Sequence, residues 1–72
     1  MAYSIDTILT IKGALTPEQF SVLTMREVKE MTYGNIGDHI GKSAQSARSI
    51  HAKSLRILGS KFRGSRIRSN RH

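Results

Sequence analysis

The sequence predicts an all-α fold, a small bundle of three to four helices that ends in a long basic one. Three observations lead there. A chain of 72 residues supports one domain at most, because so short a chain buries only about 60% of the surface its unfolded form exposes. Its apolar residues recur three and four positions apart, between repeated signals for starting and stopping helices. With 38% hydrophobic residues but only two Phe, two Tyr and no Trp, the core must be assembled from Ile, Leu, Val, Met and Ala, which suits packed helices.

The first element spans residues 4 to 12. Ile5, Ile8 and Leu9 have helical spacing, Ser4 can cap, and Gly13 offers a stop. Ile5, Thr7, Leu9 and Ile11 also alternate as a strand would, but a lone strand has nothing to pair with, so a short helix is expected. The second start is clearer. Thr16 caps, Pro17 takes the first helical position, Gln19 closes a capping box and Leu15 can staple onto Phe20. This helix is expected to run to about Glu30, with Phe20, Leu23 and Val28 or Met31 facing inward and Glu18, Arg26, Glu27, Lys29 and Glu30 wet.

Thr32 begins a third, short helix with Ile36 and Ile40 four residues apart, ended by Gly41. A glycine there can adopt the left-handed conformation that turns the chain sharply between two helices, the geometry of a helix-turn-helix. Ser43 is the next N-cap, and an unbroken pattern continues to Leu58, with Gly59 as the expected stop. At about 1.5 Å per residue that helix extends roughly 24 Å, enough to lie across a major groove. Beyond Gly59, Ser, Gly, Asn and Arg dominate, and Lys61, Arg63, Arg66, Arg68 and Arg71 supply five units of positive charge. Residues 1–59 are therefore read as the folded domain and residues 60–72 as a basic arm, disordered in isolation, that neutralises phosphates.

The charge balance sets the partner. Twelve Lys and Arg against five Asp and Glu give a net charge of +7, a field that favours a polyanion, with nucleic acid first and an anionic membrane surface second. No cysteine is present, which removes disulfides, thiolate metal sites and a cysteine nucleophile. The N-terminus carries no basic-then-apolar leader and no stretch approaches the ~20 apolar residues needed to span a bilayer, so a cytoplasmic protein is expected. An enzyme is not expected: His39, His51 and His72 lack metal-ligand spacing, the carboxylates are scattered, and there is no nucleophile motif or phosphate-binding loop. No cofactor, metal or small-molecule substrate is implied. His51, on the core-facing side of its helix, reads as a structural residue.

Around the axis of the long helix, Arg48, Ser49, Ala52 and Arg56 fall within about 60° of Gln45, whereas Ala47, Ile50, His51, Ser54, Ile57 and Leu58 lie opposite. One face suits a core and the other a partner. Gln45 and Ser49 can reach base edges, and a bidentate Gln–adenine pair is worth about 1–3 kcal/mol of discrimination. Arg48, Lys53 and Arg56 can grip phosphates, with Arg48 also able to read a guanine. Lys42 and the helix start at Ser43 form a second phosphate clamp.

These residues resemble region four of the bacterial primary sigma factors. Leu15-Thr16-Pro17, Val22-Leu23 and Met25-Arg26 are similar to that family's opening helix, Thr32 to Ser43 to its first helix-turn-helix helix and turn, and Arg48, Ile50, Ala52-Lys53, Leu55-Arg56 and Leu58 to its recognition helix. The resemblance covers residues 15 to 58. It implies a compact helical bundle, contact with double-stranded promoter DNA through residues 43 to 56, and docking on the flap of the RNA polymerase β subunit. Carried over by position, Ala44, Gln45 and Ser49 would face bases, with Arg48, Lys53 and Arg56 near backbone or neighbouring activators.

The departures are specific. Where Ala44, Ser46 and Ser49 stand, the family usually carries long polar or charged side chains, so an altered or relaxed sequence preference is expected. Glu27 stands where an aromatic is common, and the loop before Met31 is shorter. Nothing resembles the domains that melt DNA, so the expectation is a free-standing regulator of phage or mobile-element type, or one part of a split sigma factor, in a bacterial cell or infected host and associated with the nucleoid. The expected DNA-contacting set is Lys42, Ser43, Ala44, Gln45, Ser46, Arg48, Ser49, Ala52, Lys53, Arg56, Lys61 and Arg63. Two alternatives stay open: an adaptor that binds polymerase or a sigma partner with DNA secondary, and a non-specific or RNA-binding protein driven by the arm.

Overall fold

In the computed structural model, backbone is described for residues 3–70 and side chains for residues 3–61. The chain forms α1 (Ile5–Thr10), a single 3-10 turn (Lys12–Ala14), α2 (Pro17–Glu27), α3 (Tyr33–Ile40) and α4 (Ala44–Asn70), with no strand among the described residues. This is the all-α bundle the spacing predicts.

Each start signal acts through a hydrogen bond that satisfies an otherwise orphaned amide of the first turn. The Ser4 hydroxyl accepts from Thr7 N at 3.2 Å and Thr32 Oγ1 from Asn35 N at 3.1 Å. At α2 the capping box is complete, with Gln19 N donating to Thr16 Oγ1 at 3.1 Å and Thr16 N donating back to Gln19 Oε1 at 3.0 Å. Ser43 Oγ accepts from Ser46 N at 3.0 Å and thereby starts α4.

The core has two lobes that share α2. Ile8, Ile11, Leu15, Leu23 and Leu58 form one, with Phe20, Leu55 and Ile57 packed against it. Val22, Met25, Ile36 and Ala47 form the other, flanked by Met31, Tyr33, Ile40 and Ile50. Adjacent residues Val22 and Leu23 thus point into different lobes. The first lobe fixes the middle of α4 and the second its beginning, so the long helix is held along its inner face by both.

Three helix ends fall elsewhere than expected. Gly59 does not end the last helix, which continues to Asn70. An interior glycine costs only about 1 kcal/mol, no proline follows, and Lys61 and Arg63 are good helix formers. The second helix ends at Glu27 rather than Glu30: Met31 N donates to Met25 O at 3.0 Å, and Glu30 reverses the chain with a φ of 56°. Val28 therefore falls past the helix end and is 40% exposed, while Met31 takes the inward place. On α1 the buried residues are Ile8 and, just beyond it, Ile11, whereas Ile5 and Leu9 are exposed. The helix stops before Gly13 because Ile11 N turns back onto Ile8 O and the 3-10 turn follows.

Candidate nucleic-acid interface

The turn between α3 and α4 is set by two glycines. Gly41 takes the left-handed conformation, φ 76°, and the chain closes with Lys42 N donating to Gly37 O at 2.7 Å and Gly41 N to Asp38 O at 3.4 Å. That paired pattern is a Schellman close. Gly37 is needed for a different reason: a Cβ there would lie 2.7 Å from Lys42 O and 2.8 Å from Ser43 C and O, so only hydrogen lets α3 approach the start of α4. Ile36, fully buried, anchors the same turn to the core.

Helix α4 then divides as its spacing predicts. Ala47, His51, Ser54 and Leu58 are buried, and Ile50, Leu55 and Ile57 half-buried. Ala44, Gln45, Arg48, Ser49, Ala52, Lys53, Arg56 and Lys61 are exposed. Lys42 and Ser43, just before the helix, are exposed as well, whereas Lys61 lies about 160° around the axis from Gln45. A shallow open groove is lined by Lys42, Ser43, Gln45, Ser46, Ser49 and Ile50. Ser46 is only half-buried, but its hydroxyl accepts from Ser43 Oγ at 3.1 Å, which ties it to the cap. The side chain of Arg63 lies outside the described residues.

Charge is segregated along the chain. All five acidic residues lie at or before Asp38, and nine of the 12 basic residues lie beyond it. No carboxylate therefore interrupts the exposed face of α4. A carboxylate does reach the turn just before α4: Glu18 Oε2 sits 2.9 Å from Lys42 Nζ, with both side chains near half exposure. Lys42 is thus already paired across to α2.

Beneath the surface runs a polar chain that sequence reading did not find. His51 Nε2 donates to Glu27 Oε2 at 2.8 Å, and Tyr33 Oη lies 3.0 Å from His51 Nδ1. The Glu27 carboxylate also accepts from Tyr3 N at 3.1 Å. Most buried polar groups are satisfied in this way; among the described residues Thr24 Oγ1 is buried without a partner. Arg26 adds to the cluster, with its guanidinium carbon 4.2 Å from the Tyr33 ring centre and Nη1 donating to Met31 O at 2.9 Å. Two residues expected to be wet, Arg26 and Glu27, are therefore packed against α3 and α4. The reason is that α2 ends at Glu27, which brings its last turn against Tyr33 and His51. No local pattern could have revealed this, since Glu27 and His51 are 24 residues apart.

Ser54, also buried on α4, donates to Ile50 O at 2.7 Å and so brings no unmet polarity into the core. Among the described residues no helix is long and apolar enough to cross a membrane. In comparisons with known proteins, the family model described as Sigma-70, region 4 matches residues 13–58, well over half of the chain and the whole of α2, α3 and the turn into α4. No curated protein and no solved structure matches.

Proposed function

Because this chain belongs to the sigma-70 region 4 family, whose helix-turn-helix domains bind DNA and associate with RNA polymerase, we propose that it is a transcription regulator that reads duplex DNA with α4. The observation that carries the proposal is the acid-free exposed face of α4, held on a fixed turn. In this reading the start of α4 enters the major groove. Gln45 and Ser49, with Ala44 beside them, face base edges. Arg48, Lys53, Arg56 and Lys61 hold phosphate, and Ala52 leaves room for close approach. At the helix start, Ser43, Ser46 and Lys42 frame amides that favour an anion.

Residues 60–72, Arg63 among them, add sequence-independent phosphate attraction. Short side chains at Ala44, Ser46 and Ser49 leave few donors for base edges, so specificity is modest. The protein acts in the bacterial or phage-infected cytoplasm on nucleoid DNA and works with RNA polymerase through its β flap or a sigma factor.

Selection of duplexes from a random pool, with and without polymerase, tests this reading. A defined site should emerge without polymerase, and its affinity should fall steeply with salt, with a log–log slope of about −0.9 per phosphate engaged. Gln45→Ala should flatten preference at one base pair, whereas Lys53→Ala should weaken all sequences alike. Recovery of a site only when polymerase is present, unaffected by Gln45→Ala and Arg48→Ala, would favour an adaptor instead.

A further inference from the structure

We propose that Tyr33 is a positioning residue for Arg48, a function that rests on the DNA-reading role of α4. Tyr33 opens α3, outside the long helix, yet the Arg48 guanidinium carbon stands 5.7 Å from its ring centre. That is within the range in which an aromatic face attracts a cation. The ring is itself fixed. Its hydroxyl is hydrogen-bonded to His51 Nδ1, the opposite nitrogen of that imidazole is held by Glu27, and the Tyr33 and His51 rings sit 5.6 Å apart at 56°. Glu27 in turn holds Tyr3 N. The N-terminal segment, α2 and α3 thus all help fix the position of the ring that Arg48 lies over.

Arg26 also lies over Tyr33, but its guanidinium is committed to Met31 O. Arg48 is exposed, and among the described residues no carboxylate stands within ion-pair distance of it. Its charge is therefore directed by the ring and not neutralised, which leaves it available to DNA with less freedom to lose on binding. A long exposed arginine otherwise samples many rotamers. Tyr33 makes the helix surface present this one in a narrow range of directions.

The test is a double-mutant cycle on affinity for a duplex recovered from the random pool, with folding of every variant checked by circular dichroism. Tyr33→Leu should weaken binding about three- to fivefold, the size of an exposed cation–π contact, and should cost nothing further in an Arg48→Ala background. Tyr33→Phe, which keeps the ring, should retain most of the coupling. In the free protein the Arg48 side-chain protons should show an upfield ring-current shift that survives Tyr33→Phe.

Equal losses from Tyr33→Leu in both backgrounds would overturn the positioning role while leaving DNA reading intact. No loss from Arg48→Ala alone would overturn it together with Arg48's part in that reading. Should Tyr33→Leu not fold, Arg48 protons at unshifted positions in the parent domain would by themselves refute the contact.

Discussion

Replacing Gly37 by alanine isolates the steric demand of the turn, because its neighbour Gly34 supplies a control on the same helix. An alanine Cβ at 37 would meet three backbone atoms at 2.7–2.8 Å, whereas at 34 the nearest atom is Thr32 Oγ1 at 3.9 Å, an ordinary contact. Helix propensity favours alanine over glycine by up to about 1 kcal/mol at either site. Against it, forcing a methyl into packed backbone costs about 1–3 kcal/mol. Gly37→Ala should therefore lose about 1–2 kcal/mol net, and Gly34→Ala should gain about 0.5 kcal/mol.

In a domain of this size 1 kcal/mol moves the melting temperature by about 4–8 °C, so Gly37→Ala should melt roughly 5–15 °C lower, followed by circular dichroism. Because Lys42 and Ser43 carry the start of α4, the same change should re-aim that helix and weaken duplex binding beyond the loss of folded protein. Two variants moving in the same direction by similar amounts would refute the argument that close approach of α3 and α4 demands glycine.

Other changes probe different parts of the structure. Gly59→Ala adds a methyl with nothing within 4 Å to a position inside α4, so it should raise stability by about 0.5–1 kcal/mol; a destabilisation in urea melts would mean that the helix ends there. His51→Ala removes one of the two hydrogen bonds to the Glu27 carboxylate, whose side chain is 11% exposed, and should cost about 1.5–3 kcal/mol, measured by chemical denaturation, with a loss below about 1 kcal/mol sinking the view that the pair is integral to the core. Glu18→Gln releases Lys42 from its partner, leaves stability within about 0.5 kcal/mol, and should steepen the salt dependence of duplex binding by up to about 0.9 in log–log slope. An unchanged slope would place Lys42 away from phosphate.

What could be read in the sequence was the chemistry that acts over a few residues. Ser4, Thr16, Thr32 and Ser43 each bond an amide three positions on, and a bond of that reach is visible as a short pattern. Gly41 was legible for the same reason, since its left-handed turn serves only the helix it follows. The two faces of α4 followed from the angular spacing of its residues alone.

Choices made between elements were not legible. Ile5, Ile8, Leu9 and Ile11 offer more than one apolar face, and α2 and α4 decide that Ile8 and Ile11 are buried. Glu27 could be placed against His51, or Glu18 against Lys42, only once α2 and α4 were known to lie side by side. Gly59 misled because a glycine permits a helix end without requiring one; whether it becomes an end depends on what its neighbours gain by continuing.

The division of charge at Asp38 gives the molecule a preferred side of approach to a polyanion. Acids are confined to the segment that builds α1 to α3, while α4 carries cations and no acid, so the excess positive charge is concentrated on α4. In the field of a duplex such a body feels a torque before it touches. With α4 as the proposed DNA-reading helix, that torque would turn it toward the phosphates and so raise the fraction of collisions that arrive in a productive orientation. The segregation therefore acts first on the rate of encounter. In that proposed reading, where few side chains read bases, such steering would let the domain examine many sites quickly.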